Sequence, residues 1–285
     1  MFLKKKRILF LIYGGLGNQL FQLAAAKNFL NNHDYKCYFV DMSGFFGRRK
    51  VDFELKRFGV KTTELNKIVK LSLYSFVSLH ILINKKLSFF DKFFYTEKNI
   101  HTPYSMSRNL IGYGYWQGEV FFESVKKEFK FFLKDSVKKF GNYPNNRLNQ
   151  TTAVHIRRGD YVNDKIANAY HHTADLDWYQ SNMKLIEKNE KIVNFLIFSD
   201  DPIWCETNFA NWNNVEIVKS NFDDSFYDMY LMSRCKNFIL SNSSYSWWAE
   251  FLCDENEKIT IAPEFWFVGV KTTDLPIFNR KWMIN

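Results

Sequence analysis

Short apolar runs alternate with helical stretches through both halves of this chain, which predicts an α/β fold of two facing Rossmann-like domains with parallel sheets. Three observations carry the prediction. Ile8–Tyr13 is continuously apolar, as a strand covered on both faces should be, and it leads into the glycine turn Gly14-Gly15-Leu16-Gly17. The rhythm of strand and helix restarts after 140–150, a linker candidate rich in Gly, Asn and Pro, so the domains are expected at 1–145 and 150–285. Finally, 285 residues suffice for two modest cores.

In chain order, the glycine turn is followed by a helix from about Asn18 to Leu30 and a second strand at Tyr35–Asp41. Residues 51–100 read as largely helical and rich in Lys and Phe. Asn109–Gln117 is a Gly/aromatic stretch, and Phe121–Phe140 a basic helix with Phe122, Val125, Phe129 and Leu133 on one face. Beyond the linker, strands are expected at Thr152–Arg158, Phe195–Ser199, Val215–Val218, Phe238–Leu240 and Ile259–Ala262. Helices are expected at Leu176–Lys188, Ser225–Met232 and Tyr245–Cys253.

Composition narrows the partners. Thirty Phe, 15 Tyr and 8 Trp are mostly packing material. A net charge of +9 attracts nucleic acid, anionic lipid or an acidic small molecule without choosing among them. The lysines are spread along the chain with no recognised nucleic-acid module, so no nucleic-acid partner is expected. The basic surface allows loose contact with an anionic membrane. Cys37, Cys205, Cys235 and Cys253 form no tight cluster and read as reduced thiols. The start resembles a signal peptide only faintly, because 8–13 is short and runs into glycines rather than a cleavage site. Leu71–Ile83 comes closest to a membrane span, but Ser72, Ser75, Ser78 and His80 interrupt it. The expectation is a soluble, cytoplasmic protein, peripheral at most.

Three stretches carry chemistry. In Thr152–Asp160, Val154 and Ile156 point to one strand face and His155 and Arg157 to the other. Arg158, Gly159 and Asp160 then lie at the carboxyl end, where open α/β sheets hold ligands. Adjacent arginines fit a pyrophosphate; the plainer alternative is a salt-bridged surface turn. In Phe238–Glu250 an apolar strand ends in Ser241-Asn242-Ser243-Ser244 before a helix, the layout of a phosphate cradle, although a single serine cap would also explain it. Trp247 and Trp248 read as packing. The turn at Gly14–Gln19 lets backbone approach a ligand, with Gly15 and Gly17 giving access and Asn18 and Gln19 offering amides. It is a poor dinucleotide fingerprint, since Leu20 stands where the third glycine belongs.

No metal is predicted. Asp175 or Asp177 reads as a helix cap, Asp200-Asp201 as a turn before Pro202, and His171-His172 lack ligand partners at suitable spacing. The arginines can neutralise a departing diphosphate themselves.

Gly14–Gln22, Gly114–Gln117, His155–Tyr161, Phe198–Asp201 and Leu231–Trp248 together, in this order, resemble the bacterial α-1,2-fucosyltransferases. The resemblance implies a GT-B arrangement with an N-terminal acceptor-side domain and a C-terminal GDP-fucose-binding domain. It extends distantly to the α-1,6- and protein O-fucosyltransferases. It implies that Arg157 grips the GDP pyrophosphate, that Ser243 and Ser244 meet the β-phosphate, and that Asp228 reads guanine, a surface acid being the rival. Gly15, Gly17, Asn18, His155, Arg158 and Asn242 complete the expected donor side, and Gln19, Tyr115, Trp116 and Gln117 the acceptor side. The implied partners are GDP-fucose and a galactose-terminated oligosaccharide, lipid-linked or free.

The implied reaction is an inverting, metal-independent transfer of fucose to the galactose 2-hydroxyl. Its transition state is oxocarbenium-like, and Arg157, Arg158 and the serine loop would stabilise the leaving GDP. Asp160 is the first candidate base and Asp164 the second, while His155 orients the ribose, the phosphate or Asp160. The rivals are a GT-B transferase using another sugar nucleotide or linkage, and a basic nucleic-acid-binding protein.

Overall fold

The computed structural model describes residues 6–46, 51–83, 93–97, 109–138, 148–159, 162, 164–190, 194–219 and 224–285, with backbone alone at 166–167. They belong to two compact units, Met1–Glu128 and Phe129–Asn285.

The first unit is built on strands β1 (Lys6–Ile12), β2 (Tyr35–Asp41), β3 (Phe94–Tyr95) and β4 (Leu110–Gly112). They pair in the order β2-β1-β4-β3, every pair parallel. Helix α1 (Leu16–Asn32) follows β1 and is apolar around most of its surface. Ala24, Ala25 and Ala26 are all buried, as in a helix covered on more than one side. The run 51–100 is largely helical among its described residues, as expected, with one strand that was not. Its described residues hold α2 (Lys67–Ile83), the 3₁₀ turn Glu54–Phe58 and 3₁₀ positions at Phe93 and Glu97, and Phe94–Tyr95 is a strand. Phe94 and Tyr95 acquire strand form by pairing with Ile111 and Gly112, a tertiary contact that overrides weak local preference.

The expected helix at 121–140 is broken. It comprises α3 (Glu119–Phe122), a 3₁₀ turn at Glu123–Val125 and α4 (Lys126–Ser136); 139–147 lie outside the described residues. Phe122, Val125, Phe129 and Leu133 are all buried, so the predicted apolar face survives the break. The division between units falls inside α4, ahead of 140–150.

The second unit carries β5 (Thr151–Ile156), β6 (Asn194–Ser199), β7 (Val215–Ile217), β8 (Asn237–Ile239), β9 (Thr260–Ala262) and β12 (Met283–Ile284). Their order is β12-β9-β8-β5-β6-β7, again all parallel. A small antiparallel ribbon, β10 (Phe265–Phe267) with β11 (Val270–Lys271), stands apart from this sheet. The helices are α5 (Lys165–Tyr170), α6 (Leu176–Asn189), α7 (Pro202–Asn208), α8 (Ser225–Ser233) and α9 (Ser244–Leu252). Asp175 caps α6 by accepting from the Trp178 N–H at 2.8 Å. All six residues of β5 are buried, as expected of a central parallel strand.

Trp248 is fully buried and meets Phe129 at 5.4 Å, Trp247 at 5.2 Å and Phe251 at 5.5 Å. Trp248→Ala is therefore expected to cost about 3–5 kcal/mol in urea unfolding. Ile203→Ala, at a site 76% exposed, should stay within about 0.5 kcal/mol.

Candidate functional site

In each sheet the chain leaves the middle strand in one direction and returns on its other side. β5 leads to β6 and β7 on one flank, and β8 then pairs with its opposite edge. The carboxyl ends of β5 and β8 thus meet at a topological switch point, where open α/β sheets form a crevice. Arg157-Arg158-Gly159 follows β5, and Ser241–Ser244 follows β8.

One hydrogen-bonded pair joins these ends: His155 Nδ1 lies 2.6 Å from Ser241 Oγ, both side chains buried. Burial first, then the Arg157 charge, push the His155 pKa from 6.5 down to about 3, so the ring is neutral near pH 7. The serine loop is shaped locally. Ser243 caps α9, its hydroxyl accepting from the Tyr245 N–H at 3.3 Å, while its own N–H donates to the Ser241 carbonyl at 2.8 Å. Ser243 and Ser244 remain half-buried. The Asn242 side chain, expected to face the donor, donates instead to the Trp266 carbonyl at 2.8 Å and holds β10.

The two arginines are placed by Asp200 and Asp201, the pair expected as a turn before Pro202. Asp200 directly follows β6 and forms an ion pair with Arg157 at 2.9 Å, and its other oxygen accepts the Arg158 backbone N–H at 2.9 Å. Asp201 caps α7 through the Trp204 N–H and meets Arg158 Nε at 3.3 Å. The Arg158 guanidinium also lies over the Trp204 ring, 4.1 Å from its centroid. Arg158 is thus anchored between carboxylate and indole. Gly159 is required here, because a Cβ would come within 2.2 Å of Asp200 Oδ2.

Asp228 lies in the first turn of α8 and is nearly buried; Asp224 caps that helix. The Tyr245 hydroxyl donates to the Ser225 carbonyl and ties α8 to the serine loop. Asp164, half-buried, precedes α5, and its carbonyl accepts the Asn168 N–H at 2.8 Å. Asp160 lies outside the described residues. Among the described residues, no group of three His, Cys, Asp or Glu side chains is placed to hold a metal ion.

The first unit repeats the plan. The glycine turn follows β1 and the 114–117 stretch follows β4, its direct neighbour. Gly14 has φ +79°, a conformation glycine adopts freely, and Gly15 precedes α1, with Gly17 and Asn18 in its first turn. Gln22 joins the two loops, accepting from the Tyr13 N–H at 3.0 Å and donating to the Gly114 carbonyl at 3.3 Å.

Two residues expected on the acceptor side are internal instead. Gln19 is fully buried; its amide donates to the Gly14 and Asp52 carbonyls and accepts from the Glu54 N–H. Trp116 is fully buried with φ 58°, its ring stacked on Tyr95 at 4.7 Å and its backbone N–H donated to the Glu97 carboxylate. Tyr115 is 46% exposed beside Tyr13, and Gln117 is half-buried. Asp200, Asp201, Gln22 and Tyr245 were not expected as site residues, whereas Ser241 belongs to the expected phosphate-cradle loop. The only signal for them was their presence inside stretches already singled out.

The description Glycosyl transferase family 11 matches residues 93–284, more than half of the chain. The chain belongs to this family. It is 31% identical over 288 residues to the O-antigen biosynthesis glycosyltransferase WbnK of Escherichia coli, covering 90% of this chain and 93% of that one. It is 29% identical to an α-1,2-colitosyltransferase of Escherichia coli, covering 95% and 96%. The crystal structure of the fucosyltransferase NodZ from Bradyrhizobium aligns with 88% of this chain and 94% of its own at 12% identity and TM-score 0.50. That likeness concerns fold, and the family 11 chain is α/β and GT-B-like, with parallel sheets in both units.

Two outcomes follow for this glycosyltransferase. Gly159→Ala should displace Asp200 from Arg157 and lower kcat/KM about 10- to 100-fold while the thermal transition is retained, as steady-state assay and calorimetry would register. His155 binds a proton readily only when unfolded, so its folded-state neutrality stabilises the protein above about pH 6.5. That contribution is lost as pH falls from there toward 3, with a slope approaching 1.4 kcal/mol per pH unit. Urea unfolding at stepped pH should show His155→Gln losing this slope.

Proposed function

We propose that this glycosyltransferase moves L-fucose from GDP-β-L-fucose to the 2-hydroxyl of a terminal galactose. The reaction proceeds with inversion and without a metal ion, in the assembly of a fucosylated surface glycan such as an O-antigen. The observation that supports this most is the junction of the His155–Arg158 strand end with the serine loop through the His155–Ser241 pair. It sets a guanidinium and a helix N-terminus together at the switch point of a parallel sheet, a combination suited to a nucleoside diphosphate. The names of the two Escherichia coli relatives agree with an α-1,2 linkage and an O-antigen acceptor.

In this reading the Arg157 guanidinium, steadied by Asp200, takes the diphosphate, and a fork of five N–H donors serves both acceptors. Ser243 and Ser244 present hydroxyl and N–H groups to the β-phosphate, and Asp228 accepts from the N1–H and exocyclic amine of guanine. Arg158 acts mainly by bracing the loop. The galactose oxygen attacks the anomeric carbon as the bond to the phosphate oxygen breaks. GDP departs with the electron pair, its charge met by Arg157 and the serine loop. The hydroxyl proton passes to Asp160 or Asp164. Positive charge from arginine does the work that a divalent ion does in other transferases. On the acceptor side, Tyr115 supplies an exposed ring against which a sugar face can pack, with Gln117 beside it.

A second donor, GDP-colitose, is favoured by the colitosyltransferase relative. The two sugars differ at the 3-hydroxyl, so side-by-side transfer assays separate them.

Calorimetric titration with GDP, ADP, UDP and CMP in EDTA tests the donor site. GDP alone should bind, and Arg157→Ala should weaken it about 10- to 100-fold, the loss of a charge-assisted contact. Equal or absent binding of all four would sink the donor assignment. Transfer to a 2-deoxygalactoside acceptor would sink the linkage.

A further inference from the structure

Helix α2 (Lys67–Ile83) is apolar on two opposite sides, and among the described residues the side of Val77 and His80 is the one that packs inward. Its inner side is fixed. Val77 and His80 are buried, Leu73 and Phe76 pack against the core around Val40, Met42 and Phe94, and His80 stacks on Phe94 at 4.0 Å. The His80 Nδ1 atom also lies 2.7 Å from the Tyr113 hydroxyl. Opposite, at helical spacing, Ile68, Leu71, Ser75, Leu79 and Leu82 form one outward stripe. The four apolar members are 75%, 45%, 50% and 75% exposed. Single exposed leucines are ordinary, but a stripe running the length of a helix marks an interaction surface.

Charge selects the occupant. From Lys56 to the end of α2 there are five basic residues (Lys56, Arg57, Lys61, Lys67, Lys70) against one acid, Glu64, and α2 itself carries no acid. A second copy docked through a twofold axis would set lysines against lysines with almost no acid to pair them. An anionic lipid surface satisfies both features, taking the leucines into the boundary between headgroups and acyl chains and the lysines among the phosphates. Among the described residues no helix is long and apolar enough to cross a membrane, so this contact lies in the interface plane.

We propose that the outer face of α2 docks this protein on anionic bilayers, with Ile68, Leu71, Leu79 and Leu82 as the inserting residues. The contact is independent of the identity of the donor sugar.

Sedimentation of the full chain with phosphatidylcholine vesicles, with and without phosphatidylglycerol, tests this. Binding should require phosphatidylglycerol and weaken with salt. It should fall roughly 10-fold or more in Leu79→Glu/Leu82→Glu, and by a smaller factor in Lys67→Gln/Lys70→Gln. Both variants should keep the wild-type thermal transition and GDP binding, which separates lost docking from lost fold. Absence of vesicle binding, or binding equally strong in the leucine double variant, would overturn the proposal. So would analytical ultracentrifugation showing a wild-type dimer that this variant splits, since the stripe would then be an interface between copies.

Discussion

The parallel pairing of β5 with β8 is the constraint from which the candidate site follows. These strands lie far apart in the chain, yet their register sets Val154 beside Ile239 and brings both carboxyl ends to the same edge. Everything polar at that edge depends on the pairing: the arginines leave one strand, the serines leave the other, and His155 and Ser241 close the gap across 86 residues of sequence. A buried donor or acceptor left unmatched costs about 1–3 kcal/mol, so this pair penalises slippage of the two strands. The N-terminal unit uses the same device at β1 and β4, with Gln22 as the cross-link.

Charge at the β5 end is arranged so that each arginine has a different task. Asp200 meets the Arg157 guanidinium and the backbone behind it, which directs that side chain without enclosing it. Arg158 is held from two sides, by Asp201 and by the face of Trp204. A protonated imidazole next to Arg157 would add a second positive charge and repel it. Burial and the arginine charge together keep His155 neutral instead. The ring can then hydrogen-bond to Ser241 without contesting the anion that the arginine is suited to meet.

Much of the frame was legible from sequence. Continuous apolar runs announced the doubly covered strands, and Tyr35–Asp41 was read with its observed limits. Asp175 was recognisable as a cap because its signal is local. The roles of Asp200 and Asp201 were not legible. Two acids before a proline look like a turn, and their basic partners lie more than 40 residues upstream. Gln19 and Trp116 went astray for a related reason. A polar or aromatic residue at a strand end suits a ligand and suits bracing of the loop equally well, and only burial distinguishes the two. The second apolar face of α2 was likewise hidden, since the sequence does not say which side of a helix meets the core.

The bracing residues bear on how such a site can vary. Gln19 saturates three backbone groups around the glycine turn, and Trp116 holds a left-handed backbone conformation that few non-glycine residues adopt. The stacking on Tyr95 and the donation to Glu97 offset that strain. Both side chains are spent on the interior, so substitution there loosens the loops rather than altering what they meet. Tyr115, one position earlier, is fixed by the same backbone yet open to solvent. On the acceptor role proposed for Tyr115 and Gln117, a change of preference there comes at little structural cost. Gln19 and Trp116 must be kept for the altered side chains to be presented at all.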